Sequence, residues 1–162
     1  MAGINRIGHD ELDRNLAFLG YGLLFFAFFF AGAPALAAVA IAYARRHDAE
    51  PLIRSHHAYQ IWVFWIGFGF ALLMGASGLA AILVAFAAVF KVATDGAPSP
   101  NVESFFEQIF ARAAESHLIP LCLVASLVLF IVAAVWLVGA SAYGFVRLAS
   151  GKPMGQMRDG DA

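Results

Sequence analysis

The sequence predicts an all-α protein, a polytopic transmembrane helical bundle. Three observations predict it. Asp, Glu, Lys and Arg are absent from Asn15–Ala44, Ser55–Phe90 and Ser116–Val146, each about 30 residues or longer. A hydrocarbon core of about 30 Å is crossed by about 20 apolar helical residues. Of the 162 residues, 62% are hydrophobic and 13% charged, and each stretch left between the apolar runs is under the about 40 residues that a soluble core needs. The chain therefore reads as one membrane domain over residues 1–162. Its apolar regions fall at about 16–44, 58–90 and 118–146.

The first apolar region is long for one crossing, and Ala31-Gly32-Ala33-Pro34 punctuates it. Glycine is permissive there, and proline removes a donor and clashes with the preceding turn. The region is expected to break into two short helices that dip in and return; one kinked span is the competing reading. Leu16–Phe30 followed by Ala31-Gly32-Ala33 also has the form of a signal peptide. The mixed charges ahead of it (Arg6 and Arg14 beside Asp10, Glu11 and Asp13) argue against cleavage.

The second region carries start signals. Pro51 precedes it, and Ser55 is a good N-cap residue. Trp62 and Trp65 sit at interfacial depth. Gly67, Ala71 and Gly75 recur every four residues, a small-residue stripe that would let another helix approach closely. Lys91 marks the far end, and a turn cluster follows at Ala93–Ser99. Val102–Glu115 reads as an amphipathic helix, because Val102, Phe105, Phe106, Ile109, Phe110 and Ala113 share one face by 3/4 spacing. Such a helix lies in the membrane interface plane. The third region starts near His117 with Pro120 in its first turn, where proline is tolerated. Arg147 closes it, and Gly151-Lys152-Pro153 stops it. Cys122, the single cysteine, can form neither an intramolecular disulfide nor a Cys-based metal site, and reads as a small packing residue.

Lys and Arg set orientation. Arg45, Arg46 and Arg54 fall in the loop before the second region, and Arg147, Lys152 and Arg158 in the tail. Residues 92–118 hold only Arg112 against four acids. The loop and the C-terminus are expected in the cytoplasm, and the amphipathic helix on the periplasmic side. The net charge of −1 offers no basic field for nucleic acid. The expected partners are the lipid bilayer and other integral membrane proteins or a second copy.

The densest polar cluster is Ser55-His56-His57-Ala58-Tyr59-Gln60, followed by Trp65. Ser55, His56, Tyr59, Gln60 and Trp65 form a candidate polar anchor or contact site. Gln60 is within reach of His56 at i, i+4 and of His57 at i, i+3, and its depth demands a partner. The cluster can equally be an interfacial turn that satisfies its own hydrogen bonds.

This segment, SHHAYQIWVFWIG, resembles the Ser-His-x-x-Tyr/Trp-Gln-Ile-Arg-Thr-Phe-Trp signature of a small family of bacterial inner-membrane proteins, similar to the DUF4870 and Tic20-like four-segment proteins. IAYARR resembles that family's end of the first apolar region. VRLASGKPM, with Arg147, Gly151, Lys152, Pro153 and Met154, resembles its C-terminal motif. Trp62-Val63 departs from the family's Arg-Thr, and residues 92–115 are longer than its usual turn. The resemblance implies a fold and a bacterial cytoplasmic membrane, but no activity.

No HExxH or GxSxG motif occurs, and no acidic residue falls inside an apolar run, which argues against a proton-coupled relay. His56 and His117 belong to opposite membrane sides, so the histidines do not pair around a haem or metal. No cofactor is expected. The sequence thus points to a non-enzymatic accessory or assembly subunit. The alternative, carried by the resemblance alone, is a Tic20-like transport or translocation component. Its pore would need polar lining, for which the sequence offers only Gln60, Ser77, Ser126 and Ser141.

Overall fold

The computed structural model describes residues 2–95 and 101–155, with side chains placed at 11–94 and 101–155. All regular structure among these residues is helical. The elements are α1 (Ala2–Phe26), a 3-10 turn (Ala27–Phe30), α2 (Ala33–Arg45), α3 (Pro51–Asp95), α4 (Val102–Glu115) and α5 (Leu118–Ala149). Three apolar segments, Glu11–Phe30, Pro51–Thr94 and Leu118–Ala149, are long and apolar enough to cross a membrane. The part of the expected turn cluster at 96–100, and Arg158, lie outside the described residues.

The chain forms two compact units, 1–68 with 133–162, and 69–132. In the first, each helix buries one stripe at 3/4 spacing: Asp13, Ala17, Gly20, Tyr21 and Leu24 from α1, continued by Ala27 of the 3-10 turn, then Ala35, Ala38, Val39 and Ala42 from α2. The start of α3 gives Ile53, His56, His57, Gln60, Val63 and Phe64, and the end of α5 gives Ala140, Ser141, Gly144 and Leu148. The packing fixes direction. Leu24 and Ala27 cluster with Val63 and Phe64, while Ala17 and Tyr21 cluster with Ile53, so α1 and α3 run parallel. Leu148 packs with Ala17 and Ala140 with Leu24, so α5 runs antiparallel to both.

The chain reverses between α1 and α2. Ala31 (φ 50°) and Gly32 (φ 84°) both take the left-handed conformation, and Pro34 falls in the first turn of α2. The feet of this hairpin are joined: Arg45 Nε donates to Asp13 Oδ1 at 2.7 Å, and its Nη2 contacts the same oxygen. A short loop then leads to α3.

Two helix limits differ from expectation. Ser55 is not the N-cap of α3; the helix starts a turn earlier, with Pro51 at its first position and Arg54 N–H already bonded to Glu50 C=O. Nor does α3 stop at Lys91; it continues through Asp95. In the added turn the Thr94 hydroxyl donates back to Phe90 C=O at 3.0 Å.

In the second unit, α4 spans Val102–Glu115 and is capped by Asn101, whose Oδ1 accepts from Ser104 N–H at 2.9 Å. None of its residues is buried, and Val102, Phe106 and Phe110 are well exposed. Ser77 Oγ donates to Cys122 C=O at 2.9 Å, joining α3 to α5. Leu72, Leu83, Phe86 and Val128 stand among its exposed apolar side chains.

Candidate functional site: a buried polar junction

Asp13, His56, His57, Gln60 and Ser141 of the first unit are buried, where polar groups need partners. The junction is built from α1, α3, the end of α5 and the segment after it.

His56 is the centre. Its residue surface is fully buried. Nε2 lies 3.0 Å from the Lys152 carbonyl, which can only accept, so Nε2 carries the hydrogen. In the neutral ring Nδ1 then accepts from Tyr21 O–H at 2.8 Å. One imidazole thus ties α1 to the C-terminal segment across α3. Tyr21 reaches it because Gly144 opposes the phenol; any Cβ there would collide with the Tyr21 ring.

The C-terminal segment is shaped to meet α3. Gly151 (φ 66°) ends α5 in a Schellman motif: Lys152 N–H bonds to Arg147 C=O and Gly151 N–H to Leu148 C=O, both at 3.0 Å. This turns Lys152–Met154 back across the junction. Ser55 Oγ donates to Leu52 C=O at 2.6 Å and accepts from Met154 N–H at 3.0 Å. Arg147 Nη2 donates to Pro153 C=O at 2.6 Å, and Nη1 to Tyr143 O–H at 3.0 Å. Three consecutive residues are therefore held by their main chain. Ser55, His56, Arg147, Gly151, Lys152, Pro153 and Met154, drawn from two separate sequence motifs, form one latch.

Gln60 belongs to a neighbouring arrangement. Its Nε2 donates to Ala17 C=O at 2.7 Å, and its Oε1 lies 3.2 Å from His57 Nδ1. The His56 partner allowed by i, i+4 spacing is thus not used; the amide reaches His57 and α1 instead. Gly20 leaves room for it, since a Cβ there would come within 2.8 Å of the amide. Tyr59 is not in the latch. It packs in an aromatic set with Tyr21, Trp62 and Tyr143 at centroid distances of 6.5, 5.9 and 6.4 Å. Trp65 also stands apart, donating from Nε1 to Tyr43 O–H at 3.0 Å on the exposed side.

The expected small-residue stripe needs correction. Gly67 is buried, and a Cβ there would lie 3.0 Å from Leu137. Ala71 and Gly75 are exposed, and Gly75 has nothing within 4 Å of its Cβ direction. A four-residue repeat drifts around a 3.6-residue helix by about 40° per step, so the stripe leaves the contact after Gly67. The glycines under closest approach are Gly20 and Gly144, which the spacing argument missed. Tyr21, Asp13 and Arg45 were missed too. The signal was present in α1, where Asp13, Ala17, Gly20, Tyr21 and Leu24 keep 3/4 spacing into the charged segment.

Of the serines considered as pore lining, Ser77 is bonded as described, whereas the buried hydroxyls of Ser126 and Ser141 have no partner. Among the described residues, no three His, Cys, Asp or Glu side chains come together as metal ligands. The arrangement can fasten helix ends to one another. The chain matches no family model, no curated protein and no solved structure.

Proposed function

We propose that this chain is a non-enzymatic integral protein of a bacterial cytoplasmic membrane, an accessory or assembly subunit that packs against other membrane proteins or a second copy. The exposed apolar surface of α3 carries the reading. Residues 55–90 have no ionic side chain; His56, His57, Gln60, Val63 and Phe64 at the start of the run pack inside the chain's own bundle. Leu72, Leu79, Leu83 and Phe86 further along are exposed, and this apolar surface is what a bilayer or a neighbouring membrane protein would cover. The junction supports a structural role, because Ser55 and His56 spend their hydrogen-bonding capacity on the chain's own main chain and on Tyr21.

In this reading the α1–α2 hairpin dips into the membrane and returns to its starting side. The Asp13–Arg45 pair at its two feet supports the return. The basic loop before α3 and the Lys152–Met154 latch face the cytoplasm, and α4 lies in the opposite interface with Val102, Phe106 and Phe110 toward lipid.

Purification of the tagged chain in a mild detergent, with identification and stoichiometry of what co-purifies, tests the proposal. A discrete membrane subunit or a defined homo-oligomer is expected. A chain that is monomeric and alone, both in detergent and after reconstitution at high protein density, overturns it.

A further inference from the structure

The α1–α2 hairpin is too short to cross a membrane. α2 has 13 residues and rises about 20 Å, against about 30 Å of hydrocarbon. Its C-terminal end is anchored. Arg46 lies over the Tyr43 ring, 5.1 Å from the centroid, and the Tyr43 hydroxyl oxygen accepts from Trp65 Nε1 at 3.0 Å. Aromatic side chains with polar tips, beside an arginine, belong to the membrane–water interface. From Tyr43 back to Pro34 the helix rises only about 14 Å, roughly half the hydrocarbon thickness. α1 matches it: Arg14 lies over the Phe18 ring at 5.8 Å, and Arg14–Phe26 rises about 18 Å. By contrast α3, with 45 residues, and α5, with 32, are each long enough to occupy both leaflets.

The tip of the hairpin is apolar and open. Phe26, Phe29, Phe30 and Leu36 are each more than half exposed, and no ionic side chain falls between Asn15 and Ala44. The turn is closed by its own main chain. Ala31 N–H and Gly32 N–H both bond to Ala27 C=O, the latter at 2.8 Å, and Ala35 N–H bonds to Gly32 C=O at 3.0 Å. Pro34 has no N–H to satisfy. Irregular backbone is kept out of lipid where its polar groups are left open. Here these donors are used, so acyl chains can cover the tip without a protein neighbour.

We propose, on the reading that the hairpin returns to its starting side, that it is a lipid-binding wedge confined to one leaflet. Phe26, Phe29, Phe30 and Leu36 take the acyl chains of the leaflet that holds its feet. The hairpin adds area to that leaflet and none to the other. Bending toward the crowded side relieves the difference, so the protein prefers membranes convex on the side of the hairpin feet. The proposal is independent of which proteins the chain assembles with.

The test uses the full chain with Cys122→Ser, reconstituted at low protein density in phosphatidylcholine–phosphatidylglycerol vesicles. An impermeant maleimide on Glu11→Cys and on Asp48→Cys reports the side of the two feet, which is expected to be the same. A nitroxide on Phe29→Cys reports depth through its collisions with oxygen and with a water-soluble nickel chelate. It is expected no deeper than about 15 Å into the hydrocarbon, with the high oxygen access of a lipid-facing site. In giant vesicles, molecules dye-labelled from outside at Asp48→Cys have their feet outward. They are expected to be enriched about twofold in a thin tether drawn outward. Phe29→Ser combined with Phe30→Ser is expected to lower that enrichment. Feet on opposite faces overturn the hairpin reading and the wedge with it. Feet on one face with the position-29 label beyond the midplane, or shielded from oxygen as under a protein neighbour, overturn the wedge alone. So does equal density in tether and flat membrane, or an enrichment that the two serines leave unchanged. The tether measurement on the native tip decides the matter even if the double-serine variant does not fold.

Discussion

A methyl group on Gly144 would run into the Tyr21 ring, whereas one on Gly75 would meet nothing. Gly144→Ala is therefore expected to cost about 1–3 kcal/mol through overpacking, and Gly75→Leu less than about 0.5 kcal/mol. Unfolding of the two variants in mixed micelles measures the difference; equal losses would contradict the packing described. Tyr21→Phe keeps the ring but removes the O–H that His56 Nδ1 accepts. Leaving that buried acceptor unpaired is expected to cost about 1–3 kcal/mol, read in the same assay. His56→Ala removes the imidazole from both bonds and is expected to cost at least as much, while also freeing the Lys152 carbonyl.

At the scale of elements, the end of α5 and the start of α3 form one mechanical unit. Gly151→Ala forces a side chain into the left-handed conformation, at about 1–2 kcal/mol. It is further expected to release Lys152–Met154 from Ser55 and Arg147, seen as faster amide exchange at Met154. Unchanged exchange there would show that the Schellman turn does not hold the latch. The proposed orientation of α3 is tested at both ends in a Cys122→Ser background. Asp48→Cys is expected to label only from the cytoplasm and Glu103→Cys only from the periplasm; the reverse pattern inverts the topology. These elements were legible to different degrees. The apolar periodicity of residues 102–115 marks α4, and Gly151 marks the end of α5. The start of α3 was misplaced at Ser55, because a serine hydroxyl at a helix boundary and one bonding back to a carbonyl three residues earlier look alike in sequence.

For the whole molecule, the sequence by itself determined the solvent. Runs of 30 or more residues without an ionic side chain leave a membrane as the stable environment, because each buried charge or open backbone group would be too costly in hydrocarbon. It also determined that the structure is helical, and marked Ser55–Gln60 and Arg147–Met154 as unusual. Only the tertiary structure decided that these two segments meet and that Tyr21 completes them. It alone showed that Asp13 closes a hairpin with Arg45, that Gly144 rather than Gly75 takes the close contact, and that Gln60 serves His57. The reason is physical. Hydropathy and periodicity are local sums along the chain, so they report burial in lipid or protein without distinguishing the two. Hydrogen-bond partners 32 to 99 residues apart depend on helix register and crossing, which the packing of small side chains fixes only once the helices are in contact.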